Sequence, residues 1–311
     1  MLNKLSLVTF TVLISIGFSF AGDMGVKRTP ASSKCVTDGE NYRPGSKVDV
    51  MCFNRALKEK KEQTTFISKS KDMLVLGWKN ILFIKYHWRH PKTKKGEWKY
   101  NIISGNKSRL VDIEAISVSS DDEQVAVLNK VSSSQKQILV FSSKNSGNVS
   151  PMRIMNSSFI DTANAILLDI GRELIYIAGG DKVGAISTNA DSRFNNRASK
   201  IPNIVKEISG VKSQIVKPKG LALVGDELVV LEASTKNLLA FNANKFGSEA
   251  GDTPSWALSV ENQGLAGSAH GVKFQFNKIV VYDESGGKAE FVRGRGDTRL
   301  PDGRCDPYLV E

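Results

Sequence analysis

Lys217-Pro218-Lys219-Gly220-Leu221-Ala222-Leu223-Val224-Gly225-Asp226-Glu227-Leu228-Val229-Val230-Leu231-Glu232-Ala233-Ser234-Thr235-Lys236-Asn237-Leu238-Leu239-Ala240-Phe241 is the stretch whose reading decides the fold. Its apolar runs, 220–223, 227–231 and 238–241, are too short for helices and are separated by Gly-Asp and Ser-Thr-Lys-Asn, which favour turns. They read as neighbouring antiparallel strands.

The same order recurs outward from this stretch. It is found at 113–118, 124–128 and 137–141, at 163–168, 173–178 and 182–187, and at 271–276, 278–282 and 288–292, with a weaker copy at 64–68, 73–76 and 81–86. Centres at Phe66, Ala115, Ala165, Leu221 and Val272 are separated by 49, 50, 56 and 51 residues. A fourth strand fits at 98–103, 151–155, 203–208 and 256–260. Repeats of this length, four strands each, are propeller blades, small sheets that bury both faces only by stacking on one another. The expectation is an all-β chain with a single β-propeller of five four-stranded blades, or six if the N-terminal arm supplies more than one strand.

Pro218-Lys219-Gly220-Leu221-Ala222-Leu223, followed by Leu228-Val229-Val230 and Asn237-Leu238-Leu239-Ala240-Phe241, resembles the NHL-type and gluconolactonase-like propeller repeat. Tyr282-Asp283-Glu284-Ser285-Gly286-Gly287 is similar to that repeat's acidic turn, and the likeness covers roughly residues 64 to 293. The resemblance implies the fold. It also raises an enzymatic alternative, because gluconolactonase-like enzymes hold a divalent cation with carboxylates and Asn at the channel.

Lys4, the apolar run from Leu5 to Phe18 and Ser19-Phe20-Ala21 read as a cleavable signal peptide over 1–21, too short to be a membrane span. The mature chain is then expected outside the cytoplasm, periplasmic or secreted, and as a monomer. Residues 22–63 read as an arm with a closing strand at Lys47–Phe53 and a short, charged surface helix at 54–63, ahead of the propeller at 64–311. Cys35, Cys52 and Cys305 allow three pairings. A Cys52–Cys305 bridge would staple a closure made by the N-terminal strand, and Cys35–Cys52 is the local alternative.

The net charge of +11 suits an anionic partner, with acidic polysaccharide or another envelope component expected rather than nucleic acid. The segment 86–100 alternates aromatic rings with positive charge on a projecting turn. Trp88, Arg89, Lys92, Lys94, Lys95 and Trp98 are its candidate contacts with a polymer or a protein. Packing of the same rings against the blade explains the pattern as well.

At the entries of the first strands stand Asp112, Glu114, Asp161, Asn164, Lys217, Lys219 and His270, facing the channel. Hard cations want about six oxygens, and only Glu114, Asp161 and Asn164 offer them here, so no metal or other cofactor is expected. Ala269-His270-Gly271-Val272 resembles the His-Gly opening of some lyase and amidase-like propellers, and Ser268 shares a strand face with His270. Catalysis would rest on His270, Glu114 and Asp161. A binding or scaffold protein is the expectation, and a gluconolactonase- or lyase-like enzyme its alternative.

Overall fold

The computed structural model describes residues 53, 55, 56, 58, 64–67, 73–89, 96–189, 204–248, 251–261, 265, 269–283, 287–293 and 308–310, with backbone alone for 88, 89, 292, 293 and 308–310. All lie in the compact unit Cys35–Glu311.

Each blade is a four-stranded antiparallel meander. The first is β1 (Thr65–Ile67), β2 (Met73–Trp78), β3 (Ile81–Arg89) and β4 (Gly96–Ile103). The second is β5 (Asp112–Val118), β6 (Gln124–Lys130), β7 (Lys136–Ser142) and β8 (Arg153–Met155). The third is β9 (Ala163–Asp169), β10 (Leu174–Gly179), β11 (Lys182–Ser187) and β12 (Lys206–Ser209). The fourth is β13 (Pro218–Val224), β14 (Glu227–Glu232), β15 (Asn237–Asn242) and β16 (Trp256–Ser259). The fifth is β17 (Ala269–Gln275), β18 (Lys278–Asp283), β19 (Lys288–Arg293) and β20 (Tyr308–Val310). The chain is a five-bladed β-propeller.

The middle strands are continuous apolar runs because both their faces are covered. In β14, Leu228 and Val230 pack toward the third blade, while Val229 and Leu231 pack toward the fifth. Comparable clusters join the first blade to the second and the second to the third. The outer strand β16 has neighbours on one side only, and its burial alternates accordingly.

The fifth blade completes itself. The closing strand expected at Lys47–Phe53 does not hold its outer position, which β20 takes through the pairs Phe291↔Val310, Val292↔Leu309 and Arg293↔Tyr308. Phe53 is helical. With Ala56 it is buried against Leu76, Trp78, Ile81, Phe83 and Ile102, the remaining face of the first blade. The short helix is therefore more than the solvated surface element expected, although Arg55 and Lys58 do face solvent. Residues 47–52 lie outside the described residues, and so do Cys35, Cys52 and Cys305.

Buried acceptors at the ends of second strands hold the loops that lead into first strands. Glu232, fully buried, accepts from the backbone N–H groups of Val216 (2.8 Å), Lys217 (2.8 Å) and Ser234 (2.8 Å). Asn129 does the same in the second blade, accepting from Val111 at 2.8 Å and donating to the Arg109 carbonyl at 3.0 Å. These contacts set where β13 and β5 begin, and so help position the channel.

Candidate functional site

Four first strands carry one extra residue near their start. The pairing skips from Ile113 to Ala115, from Ala163 to Ala165, from Pro218 to Gly220 and from Ala269 to Gly271. The residues left out of register are Glu114, Asn164, Lys219 and His270. A bulge of this kind re-aims its side chain and is over-represented next to functional sites. Four of the seven residues expected at the channel thus occupy equivalent positions in consecutive blades.

Their chemistry differs from one to the next. Glu114 is paired with Lys136 at 2.8 Å and Lys130 at 3.6 Å. The backbone N–H of Lys136 donates to Asp161 Oδ1 at 2.9 Å, and its ammonium reaches the Ala163 carbonyl at 2.6 Å. Glu114 and Asp161 are brought together, but by a lysine that joins the second blade to the third. Asn164 Nδ2 donates to the Pro218 carbonyl at 3.2 Å, joining the third blade to the fourth. Asp112 and Lys217 are exposed, and His270 is half-buried at its bulge. Lys219 makes no ion pair among the described residues. Among those residues, no group of three or more His, Cys, Asp and Glu is placed to hold a metal ion, and Ser268 lies outside them.

A cavity of about 690 Å³ runs along all five first strands. Its walls are mostly apolar, with Phe66, Leu167, Leu221, Leu223, Val272 and Phe274 among them, and Lys273 lines them too. Lys219 lines the end near the bulges, and Asp122, Phe276 and Asn277 lie at the opposite rim. Burial, with the neighbouring Asp121 charge adding to it, raises the Asp122 carboxyl above the usual range. The turn Phe276-Asn277 has φ of 52° and 65°, and Phe276 remains 46% exposed. Two-residue hairpin turns of this kind favour Asn and Gly, so a phenylalanine there works against backbone preference.

The β3–β4 hairpin projects beyond its blade at the same end as this rim. Pairing of β2 with β3 stops at Met73↔Tyr86, whereas β3 and β4 pair on to Arg89↔Gly96. Trp98 is 44% exposed, with the His87 ring 5.2 Å away. Lys85 Nζ sits 4.7 Å from the Trp98 ring, 5.6 Å from Tyr100 and 5.8 Å from Phe53. Burial holds this ammonium below its ordinary value. Trp98 is therefore engaged by the blade as well as open to solvent. Lys92, Lys94 and Lys95 lie outside the described residues, as do the side chains of Trp88 and Arg89.

Sequence reasoning passes over the cavity walls. An aromatic residue in the hairpin turn at Phe276, where the fourth blade has Gly225-Asp226, is the available signal. It also passes over Ile103-Ser104-Gly105-Asn106-Lys107-Ser108 and its near copy Ile208-Ser209-Gly210-Val211-Lys212-Ser213. Both fold alike, with a serine hydroxyl donating to the preceding glycine carbonyl at 2.6 Å and 2.7 Å. A left-handed residue then closes each turn, Arg109 or Gln214.

No protein-family model matches the chain, and no curated protein matches it. Among solved structures, a functionally unknown protein from Desulfotomaculum acetoxidans DSM 771 is similar with a TM-score of 0.50 and 12% identity, over 79% of this chain and 68% of that one. The β-propeller domain of Myceliophteria thermophila Cps50 (Swd1) gives a TM-score of 0.47 at 10% identity, over 79% and 69%. At such identities the likeness is one of fold alone.

Proposed function

We propose that this chain is a binding propeller that takes its ligand in the axial cavity, from the face where the β3–β4 hairpin projects. Phe276 carries this reading. A bulky residue at φ 52° costs roughly 1–3 kcal/mol of backbone strain, and its ring lies half-exposed at the rim of an apolar cavity. Strain kept beside a concave, mostly apolar site is a mark of recognition surfaces. The ion pairs of Glu114 support binding over the lactonase- or lyase-like alternative, since they occupy the oxygens that a cation would need.

The test is a fragment screen followed by NMR chemical-shift mapping. Hits should perturb amides of β9, β13 and β17 and be lost in Leu223→Trp, which fills the cavity. They should weaken in Phe276→Gly, which relieves the turn without disturbing the core. Hits that map elsewhere, or that survive both substitutions, overturn the reading.

The projecting finger supports a second contact on the same face. We infer that Lys92, Lys94 and Lys95 engage an anionic envelope polymer or an acidic protein surface. Replacing all three with Glu should abolish retention on anionic glycans at low salt, and unchanged retention would remove the finger from the account. The basic start and apolar core of residues 1–21 support export. Terminal sequencing of the protein from an extracytoplasmic fraction should then begin near Gly22.

A further inference from the structure

We propose that the cavity ligand is an anionic amphiphile, an acyl chain ending in a carboxylate, with the head group on Lys219 and the chain running toward Phe274 and Phe276. This rests on the cavity being the binding site and names what it takes. Three observations combine.

The first is shape. The cavity of about 690 Å³ is lined along β13 by residues 219–223 and along β17 and its turn by 271–277, a run of roughly 17–23 Å at about 3.3 Å per residue. That suits an elongated ligand better than a compact one. The second is the wall, where Phe66, Leu167, Leu223 and Phe274 offer apolar surface and Asp122, at the rim, is the one acid among the described lining residues. The third is polarity along the axis. Lys219 and Lys273 both line the cavity; the Lys273 ammonium donates to the Thr65 carbonyl, whereas Lys219, half-buried at the bulge end, has no ion-pair partner among the described residues. Asp122 lines the other end, its carboxyl raised by burial and then by the charge of the neighbouring Asp121.

An anionic head group is therefore attracted to one end of the cavity and repelled from the other. Ring order sets Lys219 between Asn164 and His270, the bulge residues of the adjoining blades. A neutral chain would gain the walls but leave Lys219 unpaired. A doubly charged small anion would gain Lys219 but leave the walls bare.

Decanoate and decan-1-ol separate these terms, since they share a chain and differ in the head group. Titration calorimetry on the full chain should show decanoate binding more tightly than decan-1-ol. Lys219→Gln should weaken decanoate roughly tenfold or more, as for a lost charge-assisted hydrogen bond, and leave decan-1-ol unchanged. Lys245→Gln removes an exposed lysine outside the cavity and should alter neither. Equal affinity for acid and alcohol, or an equal loss in Lys245→Gln, overturns the head-group assignment. If neither compound binds, the amphiphile inference fails, and the fragment screen decides separately whether the cavity binds anything.

Discussion

Lys273 in β17 donates through Nζ to the backbone carbonyl of Thr65 in β1, tying the first strand of the last blade to that of the first across 208 residues of chain. Four junctions between blades are filled by apolar clusters. At the fifth, the cluster on the first blade is made with Phe53 and Ala56, and among the described residues none of its members comes from the fifth blade. A half-buried charged donor thus holds a seam that packing holds elsewhere. Lys273→Met should lower stability by roughly 1.5–3 kcal/mol, the worth of a hydrogen bond to a charged group. Hydrogen exchange should quicken in β1 and β17 and stay unchanged in β10. Equal quickening in β10 would show that the seam is not a local lock.

Glu232 is a buried carboxylate with no ion pair among the described residues, solvated instead by three backbone amides. Glu232→Ala strands those donors and should cost roughly 2–4 kcal/mol in urea unfolding, from more than one lost charge-assisted bond. Glu232→Gln keeps one acceptor oxygen and should fall between the two. A neutral result for the alanine variant would mean that water replaces the carboxylate freely.

Tyr176 is fully buried against Phe246 at 5.1 Å, and its hydroxyl has no hydrogen-bond partner among the described residues. Burial, with Asp169 adding to it, pushes the phenol up to about 12. Because the folded value lies above the ordinary 10.0, this group's contribution is whole below about pH 10 and is lost as pH rises through about 12. Tyr176→Phe should flatten that alkaline decline. At neutral pH it should also raise stability by about 1 kcal/mol, by removing an unsatisfied buried hydroxyl. A destabilised phenylalanine variant would show that the hydroxyl has a partner after all.

Gly220 explains one residue of the repeat in physical terms. A Cβ there would lie 2.7 Å from the backbone nitrogen of Val272 in the next blade, so the glycine sets how closely β13 and β17 approach. Gly220→Ala should cost roughly 1–3 kcal/mol, the range for overpacking. The loss should show as a lower Tm and as decreased protection of β17. Gly225, at φ 61° with open space around it, is limited by backbone conformation instead.

The amino-acid sequence by itself determines the strands and their order. Leu228 to Leu231 and Leu238 to Phe241 are uninterrupted because each strand is sandwiched between blades, and that leaves a mark on consecutive residues. The bulge residues Glu114, Asn164, Lys219 and His270 are also within its reach, since each stands at a fixed offset from its strand.

Tertiary structure alone decides the rest. The three-residue strand β20 has no period to read, so the alternating run Lys47–Phe53 looks like the better closing strand. Phe53 reads equally as strand or helix until the bare face of the first blade is there to receive it. The pairing of Glu114 with Lys136, and of Lys273 with Thr65, depends on which blades become neighbours. The cavity likewise exists only once five separate strands converge on one axis. Local sequence records the environment of each strand, whereas ring closure brings together residues whose separation in the chain leaves no local trace.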